Sequence, residues 1–576
     1  MSSLKSLIVL ASATAARATV ASAVDYVIVG GGPAGYVVAE MLSQNPSVTV
    51  TLLEKGPDEI NNTDVNIPGT LLPSANDAWA YYSQPDENLD GLAPNLLQGS
   101  MLGGGTGVNL MGYCRGAASV FDEWAEVSGN QGLAWNSLLE NFKATSRWVA
   151  QEGLEYEQVV NTTVFGDGPI EVSQQSFLTG LEVPFAQVLQ DELDLPQVCL
   201  EDGTGIGVDM SVQSISANRT RSYARNTYGA IMEGRSNVQV LPNSWVSSIG
   251  FEGTKAINVT YVDTVTNVTT IIPAGEIIVA GGAINSPKLL MQSGVGPADV
   301  LSSLDIPVVA DIPEIGANLW DHHYSYILLE VTENITTYYQ TFLNATESAI
   351  AEEEYADNHS GPLSSVSGES FATARLPDSI FNSSHYPSLA SDRPHVIYEY
   401  NGAPLSTEAT YLSRSIVSGM TALVQPEASG YLTINSSDYT QAPLMFSNFY
   451  GSESDKTAIL YAYKKLRELF ANEALSEWIV SEAYPGANVT SDADVWGAIQ
   501  ETARSFHHPV GTVALGTVLD SEWRIKGLDN IRVVDSSAIP SLTTCHPQGV
   551  VYAMAHRAAQ DIVKADGISK RRCVHS

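Results

Sequence analysis

The stretch Asp25-Tyr26-Val27-Ile28-Val29-Gly30-Gly31-Gly32-Pro33-Ala34-Gly35 leaves this chain few folds to choose from. A run rich in β-branched residues enters a glycine triplet, and an apolar helical stretch through Val38, Ala39 and Met41 leaves it. A second strand-like run, Val48 to Leu53, then closes on Glu54. G-x-G-x-x-G alone is weak evidence. With a strand before it, a helix after it and an acidic residue about 20 positions on, it marks a Rossmann-like βαβ unit that binds a dinucleotide. Gly30 permits the tight turn, Gly32 lets backbone approach a pyrophosphate at the helix N-terminus, and Gly35 lets the helix pack closely on the strand. Glu54 is expected to take the ribose hydroxyls of the adenosine.

A second glycine-rich element spans Gly103 to Gly116 and includes Gly104, Asn109 and Arg115. It lacks the Lys-Ser/Thr ending of a nucleotide P-loop. Such a run lets backbone lie against a flat ligand without side-chain obstruction. Near the other end stand Phe506-His507-His508-Pro509 and Thr544-Cys545-His546-Pro547, joined through the strand-like Ile531-Arg532-Val533-Val534-Asp535. Imidazole titrates near neutrality, so two on one pocket wall make a proton acceptor and a hydrogen-bond donor. Taken alone they could be ordinary loop histidines; beside a dinucleotide site they become catalytic candidates.

A chain of 576 residues exceeds one ordinary core. Short strands are expected at 237–241, 246–251 and 258–262, and the strand Glu276–Ala280 runs through Gly281-Gly282 into a helix. Helical spacing recurs around 137–142, 185–193 and 459–470, and strands at 396–400, 415–423 and 430–434 are expected to form an antiparallel sheet with one covered face. The reading is an α/β protein (α+β overall). A Rossmann-like nucleotide domain is assembled from 24–150, 236–320 and 501–568, and a substrate domain, an antiparallel sheet flanked by helices, from 151–235 and 321–500.

The formal charge of −36 leaves no basic stripe for nucleic acid or an anionic membrane. No apolar stretch is long enough to span a bilayer. Residues 1–23 read as a signal peptide, with Lys5, an apolar run from Leu7 and a small-residue cleavage site at Ala21-Ser22-Ala23. Eleven Asn-x-Ser/Thr sequons, from Asn61 to Asn488, agree with a secreted glycoprotein. Four scattered cysteines give no disulfide scaffold and leave room for one bridge or none; no Cys/His cluster suggests a metal.

Taken together, these motifs resemble the glucose–methanol–choline (GMC) flavoprotein oxidoreductases over nearly the whole chain after residue 23. The glycine turn with Glu54 resembles the family's FAD-binding unit, Gly103–Gly116 its first signature, and Gly282–Gly296 its second, position for position. Gly316-Ala317-Asn318-Leu319-Trp320-Asp321-His322 resembles a further family motif. The resemblance implies FAD as cofactor, with Val246 offering backbone to the adenine, Gly103, Gly104 and Asn109 at the flavin or pyrophosphate, and Asp535, Gly549 and Val550 completing the site. Some relatives attach the flavin to a histidine where this chain has Val108, so non-covalent FAD is implied. Gly105 and Thr106 replace the usual serines.

His508 and His546 match the family's catalytic pair, in the His/His form of aryl-alcohol and glucose oxidases. His322, His323 and His507 are assigned supporting roles. The activity implied is oxidation of an alcohol to a carbonyl by hydride transfer to flavin N5, with electrons passed to dioxygen or a quinone. Which histidine is the base is open, as are the substrate and the oligomeric state. No sugar-gripping cluster is legible, which favours an aryl, allylic or secondary-metabolite alcohol. The alternative is a non-oxidative relative of the hydroxynitrile-lyase kind.

Overall fold

The computed structural model describes residues 18–70, 78–151, 154, 156, 158–366 and 368–568. Most of the expected leader, and Cys573, therefore lie outside the described residues.

The glycine fingerprint folds as its pattern requires. Strand Val24–Val29 runs through the turn into helix Pro33–Ser43, and Val50–Leu53 pairs parallel beside the first strand. Pro33 opens the helix, where its missing N–H is no loss. At Gly35 a Cβ would lie 2.0 Å from the Gly30 carbonyl oxygen, so any side chain would force helix and turn apart. Both faces of the strands are covered, and Ile28, Val37, Val38 and Leu52 are fully buried.

The parallel sheet runs Val238–Leu241, Val50–Leu53, Val24–Val29, then the second half of Thr269–Val279, with Ile531–Val533 on the far side. The first half of Thr269–Val279 instead pairs antiparallel with Lys255–Asp263, which continues to Ser244–Glu252. This 11-residue strand thus welds a meander onto the nucleotide sheet. Thr19 and Val20 add an exposed edge pair against Thr270 and Ile271. Helix Gln548–Ala565 packs on Pro33–Ser43, returning the C-terminal end of the chain to its beginning.

A second, antiparallel sheet runs Ile479–Tyr484, His323–Val331, Ile416–Leu423, Val396–Asn401, Glu369–Ala374 and Gly207–Asp209, with Arg504–Ser505 on the edge of His323–Val331. One face buries Ile327, Leu329, Val417, Tyr398 and Ala372 against helices Glu182–Leu193 and Glu453–Phe470. The expected strand near 430–434 forms, as Tyr431–Thr433, but pairs with Leu444–Phe446 as a separate ribbon. Cys114 and Cys545, both buried, are disulfide-bonded with Cα atoms 6.2 Å apart, and Cys199 is a buried free thiol.

Candidate active site

A cavity of about 950 Å³ runs from the glycine turn, past Asn109, to His508 and His546 and on to the second sheet. Its first half fits FAD. Gly32 caps helix Pro33–Ser43, and a Cβ on it would meet no atom of the described residues within 4 Å. Open space at a helix N-terminus, where unpaired N–H groups converge, suits a pyrophosphate. Glu54 accepts the N–H groups of Gly31 at 2.8 Å and Gly56 at 2.9 Å, which fix it against the turn. A carboxylate has about four acceptor sites, so lone pairs remain for ribose hydroxyls. Val246 lines the cavity where the strand register slips between Val246 and Ser248. Trp79 and Trp245, edge to face at 5.3 Å, line this end, with Lys55 Nζ 4.2 Å over the Trp79 ring.

Gly30, Gly104 and Asn109 are on the wall, as is Val108. Asn109 Oδ1 accepts from Arg221 at 2.9 Å and from the Met111 N–H at 3.2 Å. The buried Arg221 also donates to the carbonyls of Val65 and Asn109, pinning the glycine-rich turn from behind. Asp535 reaches the wall, but its carboxylate is engaged by protein: it accepts from the Gly282 N–H at 2.8 Å, Ser286 Oγ at 2.5 Å and the Ser537 N–H at 2.7 Å. Its part is to brace the Gly282 turn.

Of the residues expected at the cofactor, Gly35, which packs helix on strand, and three others lie off the cavity. Gly103 donates its N–H to the Gly31 carbonyl at 2.8 Å and abuts Tyr223. Gly549 abuts Tyr113, and Val550 is fully buried. On that helix the wall is Gln548 and Val551. Residues three apart share a helix face, and the two between them point into the core.

His508 and His546 stand together, ring centroids 5.3 Å apart and nearly perpendicular at 84°. Phe506 stacks on His508 at 5.4 Å and meets His546 edge-on at 5.8 Å. Gly112 leaves room beneath His546, since a Cβ there would lie 3.2 Å from the ring. Asp321 holds the His508 loop by accepting the His508 N–H at 3.0 Å and the Ser505 hydroxyl. Burial pushes the Asp321 carboxyl up to about 7.

The protons on this wall can be traced. His322 Nε2 lies 2.9 Å from the Thr543 carbonyl oxygen, which only accepts, so His322 carries its proton there. Burial holds His322 neutral, its pKa lowered to about 4, which leaves Nδ1 as an acceptor. His508 Nδ1, 3.0 Å away, must then donate to it. The remaining nitrogen of His508, Nε2, therefore has a bare lone pair. Burial, and then the nearby imidazoles of His322, His546 and His507, drive the His508 pKa well below its usual value. Burial lowers His546 to about 4, and among the described residues its Nε2 has no partner.

His322 thus bonds the catalytic candidate directly. His323 instead stacks on Phe449 at 4.5 Å, and His507 Nδ1 accepts the Leu97 N–H at 3.0 Å, its φ of 62° turning it away from His508. Trp79, Trp245, Glu369, Glu399 and Asn401 carry no motif; they sit on the site only because of where their strands and loops cross.

Comparisons with known proteins agree with this geometry. The GMC oxidoreductase N-terminal family profile matches residues 24–324, more than half the chain, and the C-terminal profile matches 426–555. Pyranose dehydrogenase 3 of Leucoagaricus meleagris is 28% identical, over 94% of this chain and 93% of its own. Patulin synthase of Aspergillus clavatus is also 28% identical, over 93% and 91%. An FAD-dependent oxidoreductase from Chaetomium thermophilum superposes with a TM-score of 0.86 at 26% identity, covering 95% of this chain and 100% of that one. The fold is also that of a fungal aryl-alcohol oxidase, with a TM-score of 0.82 at 23% identity over 95% and 99%. Motifs, cavity and relatives agree: this chain belongs to the GMC oxidoreductase family.

Proposed function

We propose that this protein oxidises an alcohol CH–OH group to a carbonyl, with His508 as the base. The observation that carries this is the relay from the Thr543 carbonyl through His322 to His508, which leaves His508 Nε2 as a proton acceptor on the cavity wall. A neutral imidazole with a free lone pair takes the hydroxyl proton. His546 Nε2 is then placed to hydrogen-bond the substrate oxygen and stabilise developing alkoxide character. Phe506 covers both rings and limits water, which strengthens each of these contacts. Bound FAD would supply the acceptor for the carbinol hydride and pass the electrons to dioxygen or a quinone. Turnover of an alcohol panel, read as carbonyl product with dioxygen or a quinone as acceptor, tests this; product without consumption of any acceptor would favour a non-oxidative reaction instead.

The pH profile carries the same chemistry. A base works unprotonated, and burial lowers both His322 and His546 to about 4, with His508 also well below its usual value. Protonation of the base is therefore expected well below the 6.5 of a free imidazole. Asp321 and Glu369, both pushed up to about 7, titrate nearby, so the base is read from the acid limb that His508→Ala removes, expected well below pH 6.5; a His508-dependent limb centred near 6.5 would contradict the assignment.

FAD is proposed to be held without a covalent bond, since Val108 offers no nucleophile at the attachment position. Acid precipitation should leave the yellow colour in solution. Export is supported by two features. The Cys114–Cys545 bridge belongs to an oxidising compartment, and none of the eleven sequon asparagines is buried. Removal of N-glycans from protein made by a secreting eukaryotic host should lower its apparent mass; an unchanged mass would contradict this.

A further inference from the structure

The antiparallel sheet turns its second face toward the cavity, and among the apolar side chains of that face stands a small polar patch. Glu399 and Asn401 alternate along Val396–Asn401, and Glu369 lies directly opposite Asn401 on the neighbouring strand. Glu369 and Glu399 are therefore diagonal neighbours on one face, within reach of one ligand. Both are buried, at 3% and 1% exposed.

The fold does not use these carboxyls fully. Glu369 Oε2 accepts from Ser211 Oγ at 2.6 Å, and Gln213 Nε2 lies 3.4 Å away. Among the described residues Glu399 Oε2 has no hydrogen-bond partner. Among the described residues neither carboxyl forms an ion pair. Asn401 Oδ1 accepts the Ala403 N–H at 3.0 Å, leaving its amide N–H groups to donate. Phe371, directly opposite Glu399, meets the His546 ring edge-on at 6.1 Å, so the patch adjoins the reacting site. A buried acceptor left unpaired in a cavity is costly unless a ligand completes it.

We propose that Glu369, Glu399 and Asn401 form a specificity subsite that binds hydroxyl groups flanking the reacting carbinol, so that the substrate is a polyhydroxylated alcohol of the sugar or sugar-alcohol class. This rests on the alcohol-oxidation reading above and departs from the apolar aryl alcohol expected from sequence. A hydroxyl both donates and accepts, which matches a carboxyl beside an amide donor. An ammonium group suits the patch less well. Burial raises Glu369 to about 7, and burial together with Glu369 raises Glu399 well above its ordinary value, so the pair does not hold two negative charges at neutral pH. Arg504 lines the same cavity and would repel a cation.

The test uses aldohexoses and pentitols, tetrahydropyran-2-methanol (a sugar-like ring without hydroxyls), benzyl alcohol and choline as probes on the FAD-loaded protein. We expect the highest kcat/KM with a polyhydroxylated probe. Glu399→Leu should raise its KM at least about tenfold with kcat within about threefold, a larger rise than the KM for benzyl alcohol shows. Glu399→Gln, which keeps the shape of the neutral acid, should stay within about threefold of wild type. Calorimetric titration of the same sugar into His508→Ala and into the His508→Ala/Glu399→Leu double variant reads binding without turnover and should show the same loss. Preference for benzyl alcohol or choline, or Glu399→Leu with unchanged sugar KM and affinity, overturns the subsite. Failure of every alcohol to reduce the flavin would instead overturn the reading beneath it. Flavin content and Tm of each variant separate misfolding from lost recognition.

Discussion

Replacing His508 with alanine is expected to lower kcat/KM at least about 100-fold, some 2.7 kcal/mol of transition-state stabilisation, while the protein still binds FAD. The ring is placed by three contacts that do not depend on substrate: Asp321 on its backbone N–H, His322 on Nδ1 and Phe506 on its face. Truncation removes the only traced lone pair on this wall and leaves His322 Nδ1 unpaired. The structural cost of that orphaned acceptor is about 1–3 kcal/mol, small enough for a chain of this size to remain folded. Loss of activity with flavin and Tm largely kept would therefore report chemistry. Steady-state kinetics with flavin quantified per protein decides it, and near-normal turnover by His508→Ala would remove His508 from the mechanism.

Gly32→Val is expected to give a folded, colourless protein. Gly32 has φ −78°, which any residue adopts, and a Cβ there points into space empty of protein within 4 Å. The valine therefore costs the fold little, within about 0.5 kcal/mol. It occupies the approach of the pyrophosphate to the helix N-terminus, so FAD affinity should fall by at least about 100-fold. Gly35 makes the contrast. There a Cβ would lie 2.0 Å from a backbone oxygen, and a substitution would break the turn itself. Absorbance of the purified variant and its Tm beside flavin-stripped wild type are the readouts. A yellow, fully loaded Gly32→Val would refute the placement of the pyrophosphate.

Local chemistry was the legible part of this molecule. The strand, glycine turn, helix and Glu54 announce themselves because each position there answers a backbone need. The two histidines could be chosen because motif context marked them. The reason to propose His508 as the base was not legible, since it rests on a carbonyl at Thr543 reaching His508 through His322, three segments far apart in the chain. Gly103, Gly549 and Val550 lie behind the cavity wall for a related reason: a motif does not say which face of a turn or helix meets the cavity. Strand His323–Val331 escaped notice because its alternation is masked by buried polar residues, and Glu369–Ala374 because it is short and covered on both faces. Glu369, on the second of these, lies beside Glu399 and Asn401 of the expected strand Val396–Asn401, so the polar patch on the cavity became visible only once the sheet was assembled.

The most direct measurement is anaerobic mixing of the FAD-loaded protein with alcohols while the flavin band near about 450 nm is followed. The account predicts that an alcohol bleaches it and forms the carbonyl product, with bleaching at least about 100-fold slower in His508→Ala. A loaded protein whose flavin no alcohol bleaches, or a His508→Ala variant that bleaches at the wild-type rate, would contradict it.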